Sequence, residues 1–240
     1  MAGVLLHQHI IENTRTDGTD QSHIDVIHLS LSRLVPDRSE YLTGIVEKNP
    51  ADGMIEVLSY VAEAIGRHPA RGAVGGFPCN TFHAPRIWDH FAARCKKECP
   101  WIEPVHMLEL VARRLRERYG IGTPIGLLST TGTRNSGVYR NLLEQAGLAV
   151  VEVDRNDQDE VHRIIYDRDW GIKAHSPVTD TAREALVHFL DRLSSERPAA
   201  VILGCTELPL AAPGPTYRGM DLIDPLRVLA RELVSRADRD

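Results

Sequence analysis

A chain of 240 residues, 42% hydrophobic and 25% charged, has the make-up of an ordinary globular protein and enough length for one large or two small cores. A formal net charge of −5, with no long run of Lys and Arg, argues against an electrostatic nucleic-acid surface. No apolar stretch approaches the length needed to cross a bilayer, and no basic-then-apolar leader opens the sequence, so no membrane partner and a cytoplasmic setting are expected. Four cysteines without CxxC spacing suggest neither a disulfide framework nor a metal site.

In chain order, Val4, Leu5, Leu6, Ile10 and Ile11 repeat at helical spacing, so the chain opens on a helix that fades at Asn13. A polar loop follows, and Ile24 to Leu31 alternates as a strand does, ending in Pro36-Asp37-Arg38. Asn49-Pro50 is a helix start, with Asn as N-cap and Pro in the first turn, and the pattern runs to about Arg67. The apolar run Gly72 to Phe77 predicts a buried strand. Helices are then expected over Arg86 to Glu98, which places Cys95 and Cys99 on one face, and over Met107 to Tyr119, stopped by Gly120. Two thiols at that spacing, with no His or further Cys at ligand spacing, read as a buried pair and not as a metal site.

Beyond Gly120 the pattern predicts strands at Pro124 to Ser129, Leu148 to Val153 and Ala199 to Leu203. Helices are predicted at Ser136 to Gln145, Glu160 to Asp167, Asp180 to Leu193 and Pro225 to Arg236. Strands alternating with helices predict an α/β class with parallel sheets.

Two cysteines stand out by position. Cys79 follows the Gly72 to Phe77 run and Cys205 follows the Ala199 to Leu203 run, so each thiol lies where a parallel strand delivers the chain to a loop. Pro85 and Pro209 lie a few residues further on, as expected where a loop enters a first helical turn, and a helix N-terminus lowers a thiol's pKa toward neutrality. A single such cysteine is most simply a small buried hydrophobe. Two in the same setting are candidates for acid–base chemistry.

Pro78-Cys79-Asn80-Thr81-Phe82-His83 and Gly204-Cys205-Thr206-Glu207, with Thr130-Thr131-Gly132-Thr133 and Ser136-Gly137-Val138-Tyr139 between them, resemble the aspartate/glutamate racemase superfamily in the right order along nearly the whole chain. Glu207 resembles the aspartate racemase branch, where the glutamate branch has His. The resemblance implies two similar flavodoxin-like lobes, 1–106 plus 214–240 and 107–213, with the active site in the cleft between them. It also implies a cofactor-independent racemase whose cysteines act as thiolate base and thiol acid in turn, and a homodimer. No dinucleotide fingerprint and no lysine in a recognisable pyridoxal context stands against a cofactor-free reading.

By motif position, Asn80, Thr81, Thr130, Thr133 and Thr206 are expected to donate to the substrate α-carboxylate. Arg38, in Pro-Asp-Arg-Ser, and Lys173, after Ile165-Tyr166, resemble the cations that hold carboxylates in aspartate racemases, a guanidinium binding a carboxylate through two parallel bonds. Glu207, placed beside Cys205, is counted with the substrate-binding residues, and His83 is placed to orient Cys79. Relatives of the maleate isomerase and arylmalonate decarboxylase type use similar cysteines, and a truncated carboxylate-binding homologue is a third reading. Two retained cysteines and Arg38 favour the racemase. Family members begin with a strand and a Gly-Gly-Met-Gly-Pro loop where this sequence begins in a helix, so an upstream segment of that kind, and a first lobe missing one inner strand without it, are expected.

Overall fold

The computed structural model describes residues 1–68 and 72–238, and the chain divides into two compact units, Met1–Met107 with Leu226–Asp240, and Leu108–Pro225. In the first unit, α1 (Ala2–Asn13) leads through irregular chain to α2 (Arg38–Thr43) and α3 (Pro50–Arg67). These are followed by β1 (Ala73–Gly76), α4 (Pro85–Glu98) and β2 (Ile102–Val105), and the last helix, α10 (Pro225–Ala237), returns to this unit. β1 and β2 pair in parallel, Ala73 opposite Ile102 through Gly76 opposite Val105. Asn49 caps α3 as its sequence predicts, its side chain accepting from Ala51 N at 3.0 Å.

The first unit is built on rings. Phe77, Phe82, Trp88 and Phe91 meet with centroids 4.7 to 6.3 Å apart in a core shared with Ile55, Leu58 and Ile87. On β1, a Cβ added at Gly76 would lie 2.6 Å from Leu233 and 3.3 Å from Leu229 of α10, and 3.3 Å from Leu6 of α1, so both terminal helices press directly on the strand.

The Ile24 to Leu31 segment is irregular and pairs with no strand among the described residues. Its alternation leaves Ile27, Leu29 and Leu31 exposed, while His28 lies over α1, its ring edge-on to His7 at 5.8 Å. Period-two patterning specifies a face; it does not supply a neighbouring strand to complete the ladder. The sequence pattern also missed β2, whose Ile102-Glu103-Pro104-Val105 is too short and too polar to register as a strand.

The second unit contains α5 (Met107–Tyr119), β3 (Pro124–Ser129), α6 (Thr131–Ser136), α7 (Val138–Gln145), β4 (Ala149–Glu152), α8 (Gln158–Tyr166), α9 (Asp180–Ser194), β5 (Ala200–Gly204), β6 (Thr216–Tyr217) and β7 (Met220–Ile223). Its sheet runs β4-β3-β5-β7-β6, parallel except for the β6-β7 hairpin. Residues 214–225, expected with the first lobe, lie here because β7 pairs in parallel with β5. The helix expected over Ser136 to Gln145 is present as α7 from Val138, and the short α6 before it was not expected; Gly137, with its left-handed backbone (φ +66°), ends α6 and opens α7.

All five residues of β5 are buried. Val201 and Leu203 join Ile164, Ile165, Leu186 and Phe189 of α8 and α9 in one cluster, and the alternate residues Ala200 and Ile202 point to the opposite side. A strand covered on both faces reads as an unbroken apolar run, which is why Ala199 to Leu203 showed no alternation.

Candidate active site

At the end of β1, the turn that carries Cys79 is tied down by its own backbone. Cys79 N–H donates to Phe77 O at 2.8 Å, and Cys79 O accepts from Phe82 N at 3.2 Å and from His83 Nδ1 at 2.9 Å. Cys79 is half-buried against the aromatic core, and Asn80 and Thr81 are buried beside it in a short 3-10 turn, Asn80–His83. α2 packs on that turn. Asp37 caps α2, accepting from Ser39 N and Glu40 N at 2.8 and 2.9 Å, and so fixes Arg38 as its first residue, half-buried and with Nη1 3.5 Å from Pro36 O.

His83 is completely buried. Its ring stacks on Trp88 at 4.7 Å and meets His106 at 4.8 Å. Burial first, and the neighbouring His106 second, push its pKa down to about 3, against the opposing backbone bonds at Cys79 and Val105. His83 is therefore neutral at physiological pH. Because a carbonyl only accepts, the proton lies on Nδ1 and the ring holds Cys79 through its backbone.

In the second unit, β3 and β5 run side by side to the pair Ser129–Gly204, and the next residue on each strand is Thr130 and Cys205. The two strands approach so closely here that a Cβ at Gly204 would lie 3.0 Å from both Leu128 O and Ser129 Cβ, so a larger residue before the cysteine would require its neighbours to give way. Thr130 caps α6, accepting from Thr133 N at 3.2 Å and donating to Thr133 Oγ1 at 3.0 Å, with both residues buried. The strand end is held from behind by Gln158, which donates to Ser129 O at 2.9 Å and accepts from Arg134 at 2.9 Å.

Cys205 is 7% exposed and Glu207 5%. Cys205 Sγ donates to Glu207 Oε2 at 3.1 Å, Thr206 Oγ1 donates to the same oxygen at 2.8 Å, and Lys173 Nζ donates to Oε1 at 2.7 Å. Lys173 lies 5.3 Å over the ring of Tyr166. The Arg168 to Gly171 turn makes this possible by folding back onto α8, with Ile172 N and Lys173 N donating to Ile164 O and Ile165 O.

The electrostatics of this cluster are one-sided. Burial raises the Glu207 pKa, but the Lys173 charge and the three donors outweigh it, and the carboxyl stays ionised below its ordinary range. Burial lowers the Lys173 pKa, and Glu207 more than reverses this. Burial and the Glu207 charge together hold the Cys205 thiol well above its ordinary value, with Lys173 opposing. The expected helix start at Pro209, and the lowered thiol pKa with it, do not occur. Leu208–Leu210 is a single 3-10 turn that the chain leaves toward Pro213, so no helix N-terminus faces Cys205.

A model of the Asp/Glu/hydantoin racemase family matches residues 2–233. The chain belongs to that family. Among solved structures it is similar to the aspartate racemase of Picrophilus torridus, at 25% identity and a TM-score of 0.74, over 99% of this chain and 89% of that one. It is also similar to an aspartate racemase homologue from Pyrococcus horikoshii, at 23% identity and a TM-score of 0.68, over 99% and 94%. The glutamate racemase of Francisella tularensis, solved with D-glutamate, is 13% identical with a TM-score of 0.60, over 99% and 78%.

Within this racemase-family chain, the structure brings Cys205, Thr206, Glu207 and Lys173 into one hydrogen-bonded group, sets Thr130 and Thr133 at the neighbouring strand end, and sets Asn80, Thr81 and the Arg38 helix around Cys79. Tyr166, Gln158 and Tyr139 were not singled out as site residues by the sequence. Tyr139 is fully buried, and burial with the Asp224 and Cys205 charges raises its hydroxyl pKa far above the ordinary value. Its place in the Ser-Gly-Val-Tyr stretch was the one available signal. Among the described residues no cluster of His, Cys, Asp and Glu is arranged for a metal, Cys95 and Cys99 included, and no helix is long and apolar enough to cross a membrane.

Proposed function

We propose that this racemase-family protein interconverts the L and D forms of an acidic amino acid, aspartate, by proton transfer at the α-carbon with Cys79 and Cys205 as the acid–base pair and no pyridoxal cofactor. The observation that carries the reading is the Cys205 thiol, buried at the end of a parallel strand and hydrogen-bonded to an ionised carboxylate, in a chain of this family. Such a thiol holds its proton and can deliver it. In one direction Cys79, as thiolate, takes the α-proton. The developing charge moves onto the substrate carboxylate, where the Thr and Asn donors stabilise it, and Cys205 protonates the opposite face. The products are the other enantiomer, a Cys79 thiol and a Cys205 thiolate, and the reverse reaction uses the same groups in exchanged roles. Aspartate is favoured by the likeness to the Picrophilus enzyme and by Glu207 where the glutamate branch has His.

Incubating the protein with L-aspartate in deuterated buffer should yield D-aspartate carrying deuterium at the α-carbon. Neither exchange nor inversion would overturn the reading.

The Arg38 assignment is tested by selectivity. A charge-assisted bond to a second carboxylate contributes about 1.5–3 kcal/mol, so Arg38→Met should lower kcat/KM for aspartate by about 10- to 100-fold while changing alanine little. Equal losses on both substrates would return Arg38 to a structural role at the start of α2.

A further inference from the structure

Three donors already occupy most of Glu207. Oε1 accepts from Lys173 and Oε2 from both Cys205 and Thr206, and an ionised carboxylate repels the carboxylates of an acidic amino acid. What the geometry does give Glu207 is command of the Cys205 proton. The S–H is aimed at Oε2 over 3.1 Å, Oε2 is fixed by Thr206, and the far oxygen is anchored by an ammonium that itself sits over Tyr166. We infer that Glu207 is a positioning residue, not a substrate ligand, and that Glu207, fixed in place by Lys173 and Thr206, holds Cys205 in its proton-loaded, donor state between turnovers. The inference rests on the racemase reading for its purpose, but not for its physical content.

The two charges act on the thiol with opposite sign. Glu207 disfavours the thiolate, whereas Lys173 favours it. A resting state with the proton on Cys205 makes Cys79 the group that must act first as base, so the free enzyme is poised for one enantiomer and must be reset by proton exchange before it accepts the other.

The test titrates the thiol directly. In a Cys79→Ser background, the ultraviolet absorbance of thiolate is followed against pH and corrected by subtracting the matching Cys205→Ser protein, which removes the buried Cys95 and Cys99. Glu207→Gln, which keeps the size and one acceptor but loses the charge, should lower the Cys205 pKa by about one unit or more, a tenfold gain in thiolate per unit. Lys173→Met should raise it. Glu207→Gln leaves Lys173 without its partner, so Glu207→Gln/Lys173→Met, with no unpaired buried charge, is the companion variant if the single one does not fold. Its Cys205 pKa should fall between those of the two single variants.

In the Cys79-containing enzyme, Glu207→Gln should lower kcat for aspartate with little change in KM and move the pH profile to lower pH. Shifts of the same sign in the Gln and Met variants, or a rise in KM with kcat unchanged, would overturn the inference and make Glu207 a structural group or a substrate ligand. Opposite thiol shifts in a protein that does not racemise aspartate would leave the Cys205 assignment standing and remove the proposed function alone.

Discussion

Cys79→Ala and Cys205→Ala should each lower aspartate racemisation by about 10²- to 10⁴-fold, the usual worth of a positioned general acid or base, while leaving the fold in place. The fold should survive because neither side chain anchors its turn. The Cys79 turn is held by its carbonyl and by His83, and the Cys205 turn by the Ser129–Gly204 pairing and the Lys173–Glu207–Thr206 bonds. The two losses should differ in a telling way. With one thiol gone, the other can still take the α-proton of the enantiomer that presents it and return a solvent deuteron to the same face. Each variant should therefore exchange the α-proton of one enantiomer without inverting it, and the two variants should choose opposite enantiomers. Proton NMR of L- and D-aspartate in deuterated buffer, with a melting curve for each variant, decides this. A near-unmutated rate of inversion in either variant would end the two-thiol assignment.

The second large effect is on stability in acid. An unfolded histidine titrates near 6.5, whereas His83 in the native core does so at about 3. Between those values the unfolded chain binds a proton that the native one does not, so stability rises with pH across that window, is complete above about 6.5 and drains away as pH falls toward 3. At about 1.4 kcal/mol per unit this amounts to several kcal/mol, little screened because the ring is wholly enclosed. His83→Phe keeps an aromatic ring against Trp88 but cannot titrate and cannot donate to Cys79 O. Near neutrality it should be less stable by about 1 kcal/mol for the lost bond, and between neutrality and about pH 4 its urea midpoint should fall much less than that of the parent. Midpoints falling in parallel would show that His83 does not drive the acid transition.

Much of this was legible in the order of residues. The Asn49-Pro50 helix start, the apolar runs of β1, β3 and β5, and the two cysteines at strand ends are local signals, each fixed by a cap, a period or a run length. What was not legible depends on partners distant in sequence. The Ile24 to Leu31 alternation was sufficient for a strand, but no neighbour pairs with it. The β6-β7 hairpin belongs to the second unit only because β7 finds β5. The thiol at Cys205 was expected to be acidified by a helix end, and is instead pushed up by burial and by the carboxylate two residues along the chain. Glu207 was visible as an acid next to a cysteine. That its oxygens already accept from Lys173, Thr206 and Cys205 is a property of the folded loop that no spacing rule encodes.

The placement of α10 sets an order of events during synthesis. The second unit, Leu108–Pro225, is one uninterrupted stretch and contains every strand of its sheet, so it can close as soon as that stretch has left the ribosome. The first unit is complete only when Leu229 and Leu233 arrive to cover the glycine face of β1. The part translated first is therefore the part finished last, and for the whole time needed to make the second unit the nascent first unit lacks the α10 side of the cover on β1. A chaperone that binds exposed apolar chain has its longest opportunity there, and a chain interrupted just before Leu226 would release a finished second unit tethered to an unfinished first.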